Sequence, residues 1–245
     1  MATDLPTNLQ GKTALITGGS KGIGYGIAEI LVNAGMNVTI TARSEQDVQT
    51  AANKLNELGG GKALGVSCDV RDYKAQEAVV TQTLDTFDSL DALIANAGVG
   101  AFAAIEDLSV EDWHKVIDTN LTGVFYSVKA CVDALKASQG YVITISSLAG
   151  RNFFAGGAAY NASKFGLTGF TEAVMLDLRK YGVKVSTIMP GSVATYFNDH
   201  QPSDADAWKI QIEDIGKLTY DLLTMHPRTL PSRVEIRPTQ PPSAR

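Results

Sequence analysis

The N-terminal part of the chain alternates short apolar runs with amphipathic stretches, and this alternation limits the possible folds more than any other feature. Residues 12–17, 37–42, 63–67 and 90–94 are apolar runs typical of buried strands. The stretches between them, which are residues 23–35, 45–58 and 72–87, show helical spacing of apolar side chains. This alternation predicts βαβ units, which form a parallel sheet with right-handed crossovers.

The second half of the chain continues the pattern. It predicts, in order, a long helical region, a strand, a helix, a strand, a last helix and an edge strand, at residues 110–137, 141–145, 158–181, 184–189, 210–225 and 233–237. We find no repeat, linker or low-complexity segment, so residues 1–245 are predicted to form one domain. Residues 238–245 are expected to be a loose tail, because prolines cannot propagate a sheet.

Composition excludes several kinds of partner. The net charge of −5 argues against nucleic acid. The N-terminus lacks the features of a signal peptide, and no apolar run approaches the ~18 residues of a membrane span, so we expect a cytoplasmic protein without a membrane partner. Cys68 and Cys131 form no Cys-x-x-Cys pair, which fits a reducing compartment. The dispersed histidines His114, His200 and His226 predict no metal site.

A glycine-rich turn follows the first predicted strand, with glycines at Gly18, Gly22 and Gly24. A helix N-terminus offers unpaired N–H groups, and glycines let the backbone approach a pyrophosphate closely. The spacing does not match the usual G-x-G-x-x-G dinucleotide motif, so a simple strand-to-helix turn stays possible. Its place after the first strand favours dinucleotide binding.

The end of the second strand indicates which dinucleotide. An NAD site carries an acidic residue there to bind the ribose 2′-OH, but this chain has Thr41-Ala42-Arg43-Ser44. Arg43 can bind a 2′-phosphate with its planar set of donors, and Lys21 in the glycine turn adds a second cation. Both residues could be ordinary surface charges, yet their positions favour NADP(H).

Tyr160 and Lys164 are four residues apart in a predicted helix, so they lie on one face of it. A free tyrosine has a pKa near ~10, and a nearby cation lowers it. A pKa of about 7 needs ~4 kcal/mol, which is more than we expect from one lysine. We therefore expect a second positive charge, such as an oxidised nicotinamide ring. Alone, this spacing is common in exposed helix pairs.

Together with their surroundings, these residues resemble the short-chain dehydrogenase/reductase family over about residues 9–199. Five segments match the family pattern in order: Thr17-Gly18-Gly19-Ser20-Lys21-Gly22-Ile23-Gly24; Asn96-Ala97-Gly98; Asn120-Leu121-Thr122-Gly123; Ser147 with Tyr160 and Lys164; and Pro190-Gly191-Ser192-Val193. The resemblance implies a single-domain α/β Rossmann fold, with a doubly wound parallel sheet of seven strands and helices on both faces.

The resemblance also implies a catalytic set. Tyr160 would be the general acid in ketone reduction and the base in the reverse direction. Lys164 would lower the pKa of Tyr160 and hold the nicotinamide ribose. Ser147 would donate a hydrogen bond to the substrate carbonyl oxygen. Asn120 would anchor a water molecule in a proton relay behind Lys164.

Further residues are implied for the cofactor. The glycine turn and Thr195 would bind the diphosphate, and Asp69 and Val70 would lie near the adenine amino group. The segment that follows the fourth strand would line the cofactor cleft. The segment that follows the sixth predicted main-sheet strand, at Pro190, would contact the nicotinamide amide. The residues are Gly18, Ser20, Lys21, Gly22, Ile23, Gly24, Arg43, Asp69, Val70, Asn96, Ala97, Gly98, Tyr160, Lys164, Pro190, Gly191, Val193 and Thr195.

Other interpretations stay open for single residues. Ser146 could be mistaken for Ser147, although Ser147 is thirteen residues before Tyr160, the usual family spacing. Asn120 could cap or bend a helix. Asp69 could cap the helix that follows it.

The predicted activity is hydride transfer between NADP(H) and a small carbonyl or alcohol substrate. A 3-oxoacyl-[acyl-carrier-protein] reductase is an alternative. Only Lys129 and Lys136 supply cations on the long helix after Asn120, so docking of an acidic carrier is poorly supported. A non-catalytic NADP-sensing protein is a further alternative, although such a protein is expected to have lost catalytic side chains that are present here.

Two expectations concern the surface. Residues 192–210 are expected to be a mobile lid over the substrate, and residues 195–207 within it are largely polar. The resemblance implies a homotetramer or dimer, with an interface on the helix after Asn120 and on the Tyr160 helix. Both helices carry apolar residues on more than one face: Val124, Phe125, Val128, Val132, Leu167, Phe170, Val174 and Leu178.

Overall fold

A computed structural model describes residues 8–240 and shows a seven-stranded parallel sheet in the order β3-β2-β1-β4-β5-β6-β7. The strands are β1 Thr13–Thr17, β2 Asn37–Ala42, β3 Ala63–Ser67, β4 Ala92–Ala95, β5 Tyr141–Ile145, β6 Lys184–Pro190 and β7 Arg233–Ile236. The predicted fold class is therefore confirmed. The expected loose tail lies partly outside the described residues, as does the N-terminal segment that we judged for a signal peptide.

Helices cover both faces of the sheet. They are α1 Gly22–Asn33, α2 Glu45–Asn56, α3 Tyr73–Phe87, α4 Val110–Ile117, α5 Gly123–Ser138, α6 Ala158–Leu178 and α7 Ile212–Thr224. Side chains begin three of them, since Ser44, Asp72 and Ser109 each accept a hydrogen bond from a backbone N–H of the first turn. In the part of the chain that is described, no helix has the length and apolar character needed to cross a bilayer.

The long helical region predicted at about residues 110–137 is present, but it is not one regular α-helix. A π-helical turn, Asp118–Thr122, separates α4 from α5. Asn120 lies in this turn, is fully buried and hydrogen-bonds Val99 and Ser163. Such turns contain an extra residue and often occur at functional sites, and here the turn directs a polar side chain into the interior.

The last predicted helix also begins later than expected. Ile210 forms a parallel bridge with Val193, and Gln211 caps α7. Extended pairing at residue 210 therefore replaces the first turn that the apolar spacing predicted.

Two hydrophobic clusters form the core, one on each face of the sheet. Successive residues of one strand point to opposite faces, so Ile16 packs in the cluster with α1, α2 and α7, whereas Leu15 packs in the cluster with α3, α5 and α6. Ile94 and Leu93 of β4 divide in the same way. Burial on both faces explains why these strands are continuous apolar runs.

The parallel strands bring all their carboxyl ends to one edge of the sheet. The strand order reverses between β1 and β4, so the loops after these two strands diverge and leave a crevice. In sheets of this type ligands bind in such a crevice. The predicted site residues of the glycine turn and of the segment after β4 flank it.

At the opposite edge of the sheet, Asp91, which precedes β4, binds groups at the start of β1. Its carboxylate accepts hydrogen bonds from Lys12 Nζ at 3.0 Å, the Thr13 backbone N–H at 2.9 Å and Ser89 Oγ at 2.9 Å.

We expect Asp91→Ala to lower the free energy of unfolding by about 1–3 kcal/mol, because the buried Thr13 N–H loses its partner. Urea denaturation measures this effect, and Asp85→Ala on exposed α3 surface is the control. Equal midpoints for the two variants would contradict the role of Asp91.

Candidate active site

The glycine turn after β1 is tightly folded. Gly18 has a φ of 66°, and a Cβ on Gly24 would lie 2.4 Å from the Gly18 carbonyl oxygen. Lys21 precedes α1 without a side-chain hydrogen bond to the helix start, and the half-buried Ser20 and Ile23 lie beside it. The first N–H groups of α1 therefore face the crevice without a capping side chain, which suits a phosphate.

Asn96 holds this turn in place. Its Nδ2 donates to the carbonyl oxygens of Thr17 at 2.9 Å and Gly18 at 3.0 Å, while Thr17 Oγ1 accepts from the N–H groups of Asn96 and Ala97. The amide of Asn96 therefore stabilises the glycine turn. A Cβ on Gly98 would lie 3.7 Å from Lys164 Nζ, so this segment also adjoins Lys164.

The ends of β2 and β3 lie side by side. Ser67 Oγ donates to the Arg43 carbonyl oxygen at 3.0 Å, and the Arg43 side chain is exposed. Asp69 pairs with Arg71 at 2.6 Å, which holds the pKa of that carboxyl below its usual value. Asp72, not Asp69, caps α3. Val70 is buried, and its carbonyl oxygen accepts a hydrogen bond from the side chain of the following helix's Gln76.

The structure distinguishes the two neighbouring serines. Ser146 is buried and shares a 3.1 Å hydrogen bond with Thr168. Ser147 accepts a hydrogen bond from the Ala149 N–H at 3.1 Å and is hydrogen-bonded to Tyr160. Only Ser147 is therefore placed beside the tyrosine, as the thirteen-residue spacing predicts.

Burial sets the protonation of the Tyr160–Lys164 pair. Lys164 is 4% exposed, and its Nζ donates to the Ile145 carbonyl oxygen at 2.9 Å and lies 5.8 Å from the Tyr160 ring centroid. Burial lowers the pKa of Lys164 to about 8. Burial also raises the pKa of Tyr160, and the hydrogen bond with Ser147 opposes this only in part. We expected Lys164 to lower the pKa of Tyr160; in this structure the pKa of Tyr160 is raised by burial, and Ser147 is the group that opposes this.

Asn120 connects the loop after β4 with the Tyr160 helix. Its Oδ1 accepts from the Val99 N–H at 2.8 Å, and its Nδ2 donates to the Val99 carbonyl oxygen at 2.9 Å and to Ser163 Oγ at 3.1 Å. Ser163 in turn donates to the Tyr160 carbonyl oxygen. Both amide hydrogens are used, so a relay water could meet this side chain only at an acceptor.

Asn161 is a buried site residue that sequence reasoning missed. Its Nδ2 donates to the carbonyl oxygens of Ala149 at 2.8 Å and Asn152 at 2.9 Å. These bonds hold the loop that carries Ser147 against the first turn of α6. A polar side chain next to Tyr160 was the available signal, but its partners are known only from the fold.

Aromatic side chains around Tyr160 were also missed. Phe102 lies 5.4 Å from the Tyr160 ring and Phe197 lies 5.7 Å from it, both between ring centroids. Phe102 follows β4 and Phe197 follows β6, so no sequence spacing relates them to Tyr160. Residues 195–207 looked largely polar, yet Phe197, one of their two aromatic side chains, contacts Tyr160.

The loop after β6 is held at both ends. Gly191 N–H donates to the Ile236 carbonyl oxygen next to Pro190, and Val193 bridges Ile210. Thr195 is buried, and its Cβ would lie 3.6 Å from a Cβ on residue 22, so it adjoins the glycine turn.

Charged side chains organise the middle of this loop. Asp206 is buried and pairs with Lys209 and His200, each at 2.6 Å, and the bond from Lys209 is the main reason why its pKa is lowered to about 2. Lys21 Nζ lies 5.6 Å from the Tyr196 ring centroid. In this structure, then, Lys21 contacts the loop after β6. Within residues 8–240 we find no cluster of three or more side chains suited to a metal ion.

Comparisons with known proteins place this geometry in a family. The family model for short chain dehydrogenase matches residues 12–206. The chain is 39% identical to the trans-4-hydroxycyclohexanecarboxylate dehydrogenase of Sinomonas cyclohexanicum over 75% of this chain and 73% of that protein. It is 38% identical to a 3-oxoacyl-[acyl-carrier-protein] reductase of Vibrio cholerae over 77% of this chain and 76% of that protein.

A solved structure agrees. A metagenomic short-chain oxidoreductase in complex with NADP superposes with a TM-score of 0.84 at 33% identity, over 96% of this chain and 100% of that one. The chain therefore belongs to the short-chain dehydrogenase family and is an oxidoreductase that acts on CH–OH groups.

Proposed function

We propose that this protein interconverts a ketone or aldehyde with its alcohol, with NADP(H) as the hydride carrier. One observation carries the proposal: Ser147, Tyr160 and Lys164 converge beside the crevice that the glycine turn borders. The NADP in the structure of the metagenomic relative supports the same cofactor here. When bound, NADPH supplies the hydride.

The protein's own residues supply the proton and hold the substrate. Ser147 donates a hydrogen bond to the carbonyl oxygen, where negative charge develops during reduction. The Tyr160 hydroxyl gives its proton to that oxygen. Lys164 then favours the phenolate by its charge, and an oxidised nicotinamide adds the second positive charge that the raised pKa of Tyr160 requires. Asn120 and Asn161 hold the loops on either side.

The residues fit the cofactor we propose. An uncapped helix start and a glycine turn that admits no larger side chain suit the diphosphate. Arg43, exposed where β2 ends, suits a 2′-phosphate. The Asp69 carboxylate already takes four hydrogen-bond contacts from Arg71, two on each oxygen, so an adenine amino group would have to share these oxygens with Arg71.

A 3-oxoacyl-[acyl-carrier-protein] reductase is the second candidate, because a relative with that name is 38% identical. Lys136, one of two cations on α5, already pairs with Asp133 at 3.8 Å and faces the Tyr181 ring. This leaves the exposed Lys129 as the only basic residue of α5 without such contacts. We therefore rank this candidate below a reductase of small carbonyl compounds. A non-catalytic sensor is disfavoured by the intact catalytic set.

We also propose a homotetramer or dimer in the cytoplasm. Four of the eight apolar residues expected at the interface, Val124, Val128, Leu167 and Leu178, are buried in the core and cannot contribute. The exposed Phe125, together with Phe165 and Leu176, still gives α5 and α6 an apolar outer face. Residues 192–210 are proposed as the lid.

Tyr160→Phe is expected to lower turnover by about 10²–10⁴-fold, because it removes the proton donor and nothing else. Binding of NADPH, followed by fluorescence titration, should change less than about twofold. Tyr181→Phe, at an exposed position just beyond α6, is the control and should keep wild-type activity. Near-normal turnover by Tyr160→Phe would refute the mechanism.

Lys164→Met is expected to abolish turnover but to stabilise the cofactor-free protein at pH 7. In the folded state the pKa of Lys164 is about 8, below its unfolded value near ~10.4, so the charged form opposes folding. The gain should be about 1–3 kcal/mol at pH 7, less what the lost bond to Ile145 contributes. Wild-type stability should rise between pH 8 and about 10.4 as the lysine loses its proton. The difference in the free energy of unfolding between Lys164→Met and wild type, measured by urea titration, should therefore become smaller over this pH range. A difference that does not change with pH would contradict the role of burial.

NADPH should be preferred over NADH, with Arg43 as the main cause. Arg43 and Lys21 together should give roughly 10²–10⁴-fold discrimination, at about 1.4 kcal/mol per tenfold. Arg43→Asp should shift the ratio of kcat/KM for the two cofactors towards NADH by at least about tenfold. Arg179→Asp changes the net charge equally beyond the far end of α6 and should leave the ratio unchanged. A wild-type preference for NADH would show that Arg43 does not bind a 2′-phosphate.

A further inference from the structure

Three phenylalanines form an apolar wall next to the catalytic tyrosine. Phe102 and Phe197 contact the Tyr160 ring, and Phe154 lies 5.9 Å from Phe102 between ring centroids. The side chains of Phe102, Phe154 and Phe197 are 42%, 48% and 37% exposed. An exposed group of large apolar side chains next to a catalytic hydroxyl is a surface that a bound molecule can cover.

The backbone fixes these rings where they are. The Ala103 N–H donates to the Gly156 carbonyl oxygen at 2.9 Å, and Ala103 bridges Gly157, which joins the loops that carry Phe102 and Phe154. A Cβ on Gly100 would lie 2.8 Å from the Phe102 ring and 2.9 Å from the Phe197 ring. The absence of a side chain at Gly100 therefore lets the two rings approach each other beside Tyr160.

The charges of the three surrounding loops disfavour an anionic substrate. The loops after β4, β5 and β6, all within the described residues, carry more carboxylates than cations, and the carboxylates are Glu106, Asp107, Asp199, Asp204 and Asp206. Their cations are already paired: Arg151 with Glu235, and Lys209 with Asp206. A carboxylate or phosphate on the substrate would meet an excess of carboxylates on these three loops, whose own Arg151 and Lys209 are already paired; Lys21, outside these loops, lies over the Tyr196 ring next to the glycine turn.

Resting on the function proposed above, we propose that the substrate is an uncharged carbonyl compound with a bulky apolar skeleton, for which we take a saturated ring as the test case. The ring packs on Phe102, Phe154 and Phe197, and its carbonyl oxygen points to Tyr160 and Ser147. A hydride from NADPH reduces the carbonyl carbon, and the proton of the Tyr160 hydroxyl goes to the oxygen. The products are a cyclic secondary alcohol and NADP⁺, and Tyr160 regains its proton from solvent.

The test is a comparison of kcat/KM for NADPH oxidation with cyclohexanone, 4-oxocyclohexanecarboxylate and acetone. Wild type should favour cyclohexanone over each of the other two by about 10-fold or more, because filling an apolar pocket gives discrimination of about 10–200-fold. Phe102→Ala should lower kcat/KM for cyclohexanone by about 10–100-fold and for acetone by about threefold or less. Phe102→Leu keeps a large apolar side chain and therefore disturbs the packing less than Phe102→Ala. Its kcat/KM for cyclohexanone should lie between the values of wild type and Phe102→Ala.

The matched control is Phe153→Ala. Phe153 is the neighbour of Phe154 in sequence but is 85% exposed. Its removal should therefore leave kcat/KM for each of the three compounds within about twofold of the wild-type value.

Three results would overturn the inference while the proposed function stands. They are a preference for the carboxylate, an equal loss for cyclohexanone and acetone in Phe102→Ala, and a loss in Phe153→Ala as large as in Phe102→Ala. The second result would mean that Phe102 only positions Tyr160. NADPH oxidation with none of the three compounds would instead refute the proposed function, and the inference with it.

Discussion

The parallel sheet is the constraint on which the rest of this structure depends. Because each crossover returns the chain in the same direction, the carboxyl ends of all seven strands lie at one edge, together with the loops that follow the first six. The reversal of order between β1 and β4 opens the crevice there. Residues far apart in sequence, such as Gly18, Arg43 and Ser147, therefore border one site, although the strand before Ser147 pairs with neither of the strands before Gly18 and Arg43.

Within that site, buried polar groups determine the chemistry. Lys164 is held in the interior by one carbonyl oxygen, and burial shifts both its pKa and that of Tyr160 towards the uncharged forms. Without a ligand, Tyr160 therefore stays protonated at pH 7, whereas Lys164, with a pKa of about 8, still carries its charge in most molecules. The readiness of the pair to transfer a proton depends on what binds beside it, which links catalysis to occupation of the crevice.

The two sides of the site differ in how they are built. The cofactor side consists of backbone turns fixed by Asn96 and by glycine packing, and these leave little freedom for substitution. The substrate side consists of three loops with half-exposed phenylalanines and an excess of carboxylates. Rigid turns suit a constant cofactor, whereas such loops allow the substrate to differ between proteins that share one scaffold.

The sequence by itself determined the sheet, the helices and most of the site, because apolar periodicity and short motifs depend on neighbours along the chain. Strands β2, β3 and β5 were predicted to the residue; the glycine turn, Tyr160 and Lys164 were predicted as site residues from their spacing, and Ser147 from the family resemblance. Only the tertiary structure showed the π-helical turn at Asn120, the partners of Asn161, and Phe102 and Phe197 against Tyr160. Those contacts join separate loops, and the raised pKa of Tyr160 follows from the burial of its hydroxyl group by the fold. Periodicity and local spacing predict neither these contacts nor this pKa shift, because both depend on packing between segments that are distant in sequence.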